Sequence, residues 1–190
     1  MAVTSDLEGQ SLAEIADYHN DTVDALTSYL QPLLQQNNPR FLGYSPSDLE
    51  KLLLRRIKET GLRSSLAILA ALEAALRIDY ELRAKQRRKD PLSRAFRVMY
   101  KRKRERIRFG EDLLDLWVQH HPNLRRHVGE LRAALHFRHW LAHGRHWERP
   151  SYGRFDYVDI YNLAERVLSD FPLVARPAHE LGSIRRGFMP

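Results

Sequence analysis

The stretch Leu131–Trp147, reading LRAALHFRHWLAHGRHW, gathers four histidines, three arginines and two tryptophans. Two kinds of chemistry fit such a set. His136, His139, His143 and His146 recur at spacings of three, four and three, which on a helix confines them to roughly an 80° arc, the layout of a metal-binding face. A metal site would also recruit a ligand from elsewhere and a carboxylate behind its imidazoles; the nearest acid is Glu148. The other chemistry is cleavage of RNA without a metal. That reaction takes a base for the 2′-hydroxyl, an acid for the departing 5′-oxygen and a cation for the charge gathering on the phosphorane. Imidazole titrates near neutral pH and serves as acid or base, and a guanidinium holds phosphate oxygens with paired donors. His143 and Arg138 supply these groups. They stand five residues apart, about 140° around a helix axis, so a single helix face does not present both. A third account, in which these are hydrogen-bonded histidines of an amphipathic helix, needs none of this chemistry.

The segment Arg138-His139-Trp140-Leu141-Ala142-His143-Gly144 resembles the signature of the HEPN superfamily: an Arg, a polar residue, a few mostly apolar residues, then a His often followed by Gly. The likeness spans about Phe137 to Trp147. HEPN proteins are all-α and act as metal-independent ribonucleases in toxin–antitoxin, phage-defence and CRISPR-associated systems. The resemblance implies catalytic roles for Arg138, His139 and His143, no cofactor, and RNA as substrate. It also implies a homodimer whose two motifs share one cleft, because one motif His cannot be base and acid at once. An antitoxin or other regulatory partner would fit the same setting. Many members place an acidic residue on an earlier helix near the motif; Glu73 is the first candidate and Asp79 the second. Some HEPN toxins carry a Tyr two residues after the His, which an antitoxin modifies, and here that position is Arg145. A reading from another class keeps the same residues: a non-catalytic HEPN-like module in which Arg138 and His143 hold RNA or a protein partner without cutting.

Charge points the same way. The chain carries a formal +7, yet residues 83–108 hold 13 basic and two acidic residues, a local +11. A segment so charged repels itself, and phosphates would relieve it, with affinity that falls steeply in salt. Arg102, Lys103, Arg104 and Arg106 are the candidate RNA contacts there, joined by Arg145 and Trp147 near the motif. A solvated helix face is the other account of the segment. Base stacking would come from Trp147, Tyr152 or Phe155, since Trp140 sits among apolar positions. There is no cysteine, hence no disulfide framework or thiolate metal site. Met1–Gln10 lacks the basic and apolar regions of a signal peptide, and no apolar run reaches the 18 or so residues of a membrane span. The expectation is a cytoplasmic protein without a membrane partner.

The elements that must position this chemistry read as helices throughout. Ser11 and Glu14 fit a capping box for a helix reaching about Gln36. Ser45-Pro46 and Asp48 open a second helix, expected to stop at Gly61. A third, about Leu62 to Lys89, has a wide apolar face with Glu73 inside it. Asp90-Pro91 opens a fourth, to about Arg108, and Gly110-Glu111-Asp112 begins a short fifth. A sixth, capped by Asn123, runs into the motif with Leu131, Ala134, Leu135, Leu141 and Ala142 as its apolar stripe and ends at Gly144, which tolerates the left-handed region. The last spans about Asp156–Asp170. The fold expected is all-α, an antiparallel HEPN-like bundle of five to seven helices, with residues 1–170 as one domain and 171–190 as an extended or mobile tail.

Overall fold

A computed structural model of the chain describes residues 10–30, 32, 39–145, 148 and 155–174. Among them the fold is all-α, with six α-helices and no strand: α1 (Leu12–Leu30), α2 (Pro46–Lys85), α3 (Pro91–Lys103), α4 (Leu114–His120), α5 (Arg125–Ala142) and α6 (Tyr157–Asp170). The starts of four follow from local capping chemistry. At Ser11 the Glu14 carboxylate accepts from the backbone N–H at 2.7 Å, while Ser11 Oγ accepts from Glu14 N–H at 3.2 Å. Reciprocal boxes of the same kind open α2 at Ser45 and Asp48 and α6 at Asp156 and Asp159. Asp90 accepts from Ser93 N–H at 2.9 Å ahead of Pro91. Each satisfies backbone donors that a helix start leaves without a partner. The extension of α1 to Gln36 lies outside the described residues.

The two helices expected across residues 46–89 are one. Helix α2 runs 40 residues without interruption, about 60 Å at the α-helical rise. Gly61 does not end it, because a glycine in helical conformation costs only about 1 kcal/mol and its missing side chain is used. A Cβ there would meet Tyr157 Cβ at 3.4 Å, so the gap admits the first turn of α6. His19 of α1 closes the same spot. Its ring stacks on Tyr157 at 3.6 Å, and its Nδ1 lies 3.0 Å from Ser64 Oγ. Burial holds the His19 pKa below its ordinary value and pushes the Tyr157 phenol up to about 12.

Three other expected boundaries move. Helix α3 stops at Lys103 rather than near Arg108; a 3-10 turn over Arg104–Arg106 follows, with Arg104 at φ +46°. The reason is downstream, where Ile107 and Phe109 are buried and turn the chain inward. A single π-helical turn over Phe109–Leu113 then leads into α4. Asp112 supports that turn by accepting from Arg108 N–H at 2.9 Å and from Lys103 Nζ at 2.7 Å. Asn123 does not cap α5: it lies within a 3-10 turn, Pro122–Leu124, and buried Leu124 precedes the helix without a side-chain cap.

The main core joins α2 (Ile68, Leu69, Leu72, Leu76), α3 (Leu92, Phe96), α4 (Leu114, Trp117), α5 (Val128, Leu131, Ala134, Phe137, Trp140) and α6 (Ile160, Leu163, Ala164, Val167). Leu30, Phe41 and Leu49 form a separate small cluster where α1 and α2 meet. On α5 the buried stripe recurs every third residue, so Phe137 and Trp140 face inward, whereas Leu135 and Leu141 are only half-buried and Ala142 is exposed. No helix among the described residues is long and apolar enough to cross a membrane.

A polar knot lies beside Trp117. Arg83 is buried and donates from Nε to Asp79 Oδ2 at 2.7 Å, from Nη1 to Asp90 and Ser93, and from Nη2 to the carbonyl of Pro172. Its guanidinium carbon lies 5.4 Å from the centre of the Trp117 ring. Asp79 is fully buried; its other oxygen accepts from Val174 N–H at 2.6 Å. The expected tail therefore keeps its first residues in the core, with Phe171 and Leu173 buried; residues 175–190 lie outside the described part. Burial pushes the Asp79 carboxyl up, against the pull of the Val174 N–H and of Arg83. Removing one charge of such a pair strands the other in a low dielectric. Arg83→Met alone is expected to lose about 3 to 5 kcal/mol in urea unfolding, and Arg83→Met with Asp79→Leu much less than the sum of the single losses. Additive losses would show that the two charges do not act as a pair.

Candidate functional site

The motif occupies the last turns of α5 and the turn that closes it. The helix runs regularly through Ala142, and His143 is its C-cap at φ −96° and ψ 25°. Gly144 takes φ +78°, and Arg145 N–H bonds the carbonyl of Trp140 at 3.1 Å, back across the last turn. This is the left-handed closure expected of a glycine after a helix. Arg145 is itself left-handed at φ +58°, a conformation that costs a non-glycine residue roughly 1 kcal/mol or more.

A carboxylate from α2 compensates. Glu59 takes both ends of the Arg145 guanidinium, Nη1 to Oε2 and Nη2 to Oε1, each at 2.8 Å. Two parallel charge-assisted bonds fix direction as well as distance. The Arg145 hydrogen bond is also the main reason the Glu59 carboxyl sits below its usual range. Arg145, expected to contact RNA, is thus engaged within the chain.

Glu73 meets the motif one level along α2. Its Oε2 lies 3.5 Å from Arg138 Nη1, while Oε1 accepts from Arg77 Nε and lies 2.8 Å from Arg77 Nη2. The carboxylate is 17% exposed, and the two arginines are 37% and 38% exposed. Arg138 Nε is buried and has no hydrogen-bond partner. Asp79, the second acidic candidate, belongs to the Arg83 knot instead. Six residues past Glu73 is about 240° around the helix, so the two acids face different neighbours.

His136, His139 and His143 are exposed. The rings of His139 and His143 lie 4.2 Å apart between centroids, tilted by 54°. They are four residues apart along α5 and its cap, so the helix itself sets this proximity. One chain therefore presents two adjacent imidazoles. No group of three or more His, Asp or Glu residues is arranged to hold a metal ion among the described residues; His146 lies outside them.

Elsewhere the basic segment divides. Arg102, Arg104 and Arg106 are exposed, but Lys103 is half-buried against Asp112. Arg83, counted within the local +11, is buried in the knot beside Trp117. Of the aromatic candidates, Trp140 is buried as expected, stacked on Phe137 at 5.8 Å, and Phe155 lies against that same ring. Trp147 and Tyr152 lie outside the described residues. Two residues near the motif had not been singled out from the sequence. Arg77 carried a usable signal, since it lies four residues after Glu73 on one helix. Glu59 carried none.

The Glu59 contact has a pH signature of known sign. A carboxylate with a depressed folded pKa contributes in full above its unfolded value, about 4.3, and the contribution is lost as pH falls through the lower folded value. Below about pH 4 the protection of the Arg145 amide, relative to an unstructured peptide at the same pH, should fall, and Glu59→Gln should show the same loss at neutral pH. Equal protection in the two proteins at neutral pH would mean the pair does not hold the turn.

Compared as a whole, the chain matches no family model, no curated protein and no solved structure.

Proposed function

We propose that the chain is a metal-independent endoribonuclease of the HEPN kind, in the setting of a toxin–antitoxin or phage-defence system. The observation that supports this is the Arg138 guanidinium: it is ion-paired with the partly buried Glu73 at 3.5 Å, more than a third exposed, and five residues before an exposed imidazole at a helix end. A guanidinium for the phosphate oxygens and imidazoles for the proton transfers are the groups that phosphoryl transfer without a metal requires.

In this reading Arg138 holds the non-bridging oxygens of the scissile phosphate. An imidazole accepts the 2′-hydroxyl proton as the 2′-oxygen attacks phosphorus, and a second imidazole protonates the 5′-oxygen as the P–O5′ bond breaks. The products are a 2′,3′-cyclic phosphate and a 5′-hydroxyl. Glu73 positions Arg138. Arg102, Arg104 and Arg106 offer charge to the RNA backbone. Arg138→Ala and His143→Ala should each lower the cleavage rate by about two orders of magnitude or more while leaving the helical circular dichroism intact. Wild type should keep its activity in EDTA and spare the DNA version of the substrate. Full activity in either variant, or a wild type silenced by EDTA, would refute the proposal. Binding of RNA without any cleavage would assign the chain to the non-catalytic class.

The second proton-transfer group has two sources. In a two-fold dimer it is His143 of the other copy, since α5 stays helical from Arg138 to Ala142 and keeps the two motif residues about 140° apart. In one chain it is His139, at 4.2 Å from His143. Mixing wild type with His143→Ala and isolating heterodimers separates them. A composite site leaves the heterodimer nearly inactive, whereas a site complete in each chain leaves half the wild-type rate.

A further inference from the structure

Arg77 is held as if for a ligand. Glu73, one turn before it, binds two of its nitrogens through a single oxygen, and the guanidinium carbon sits 5.4 Å from the centre of the Phe109 ring. A guanidinium fixed between a carboxylate and an aromatic face has lost its rotamer freedom before any ligand arrives. It is nonetheless 38% exposed. Glu73 gives its other oxygen to Arg138, so one carboxylate braces two arginines from different helices. Two positive charges against one negative leave an excess of a single positive charge at this edge. A phosphodiester, with one negative charge and two free oxygens, is its complement.

Position along the chain adds direction. Phe109, which carries Arg77 on its ring, follows in sequence on the segment that contains the exposed Arg102, Arg104 and Arg106. Arg77 is tied through Phe109 to the end of that segment and through Glu73 to Arg138 of the motif. Two arginines held on one carboxylate suit consecutive phosphates of a polymer backbone better than a single free phosphate.

We infer that Arg77 is a second phosphate-binding arginine of the site, taking the phosphate next to the one held by Arg138 on a single-stranded RNA. The inference rests on the reading of the motif as an RNA site, but not on cleavage. Neutralising one phosphate contact on a single strand should reduce the salt slope of binding by about 0.7.

The test uses the full chain and a short 2′-O-methyl oligoribonucleotide, which cannot undergo 2′-oxygen attack. Arg77→Gln should weaken binding about tenfold and lower the salt slope by about 0.7, whereas Arg77→Lys should keep the slope and lose part of the affinity. Arg126→Gln is the control, an exposed arginine paired with Glu130 near the start of α5, and it should change neither. A slope under Arg77→Gln equal to that of the control would overturn the inference. Should Arg77→Gln fail to fold, the wild type decides: its Arg77 Nε–H resonance must shift on titration with the oligonucleotide while that of Arg126 stays put, and an unmoved Arg77 resonance overturns the inference. The two proposals fail separately. Unmodified RNA that binds through Arg77 but is never cut refutes the nuclease and leaves Arg77 standing; RNA that is cut, with binding indifferent to Arg77, does the reverse.

Discussion

Two buried charges one turn apart on α2, Asp79 and Arg83, set the frame in which everything else is placed. Taking an ion pair out of water costs more than its mutual attraction returns unless its remaining donors and acceptors also find partners. Here they do. Arg83 spends its nitrogens on Asp79, Asp90, Ser93 and the Pro172 carbonyl, with its flat face toward Trp117, and Asp79 adds the Val174 N–H. Those partners come from α2, the start of α3 and the segment after α6. Directional bonds of this kind fix the ends of three elements where apolar packing alone would admit sliding.

The same helix that carries the knot also carries the supports of the motif. Glu73 and Glu59 are 14 residues apart on α2, nearly four turns, so the two carboxylates lie within about 40° of each other around the axis. One braces Arg138 and the other grips Arg145. Because later residues of α5 and its turn meet earlier residues of α2, the two segments run in opposite senses here. The left-handed Arg145 is costly in isolation, and the forked ion pair offsets part of that cost at a helix end where backbone carbonyls need closure. His139 and His143 are set differently, by the helix that bears them rather than by α2.

How much of this was legible in the sequence depends on the range of each interaction. Caps act over three residues, and Ser11, Ser45 and Asp90 announce their helices in the sequence. Gly144 likewise marked the end of α5 through a purely local demand on φ. Glu73 stood out because a charge inside an apolar face must find a partner. Gly61 misled, since its role depends on Tyr157 and His19, which sequence proximity does not bring near it. Arg83 reads as one more cation in a basic run, because Ser93 and the Pro172 carbonyl join Asp79 around it only in the fold. Lys103 and Arg145 stand in the sequence as candidate RNA contacts for the same reason: Asp112 and Glu59 neutralise them only in three dimensions.

The unbroken course of α2 limits what changes this chain can absorb over time. Between Glu59 and Glu73 any substitution that preserves helix and packing leaves the two carboxylates in register. Insertion or loss of one residue would turn one of them through about 100° relative to the other, so that Arg138 and Arg145 could no longer both be met by the same rod. The length of that interval is consequently under tighter constraint than its composition.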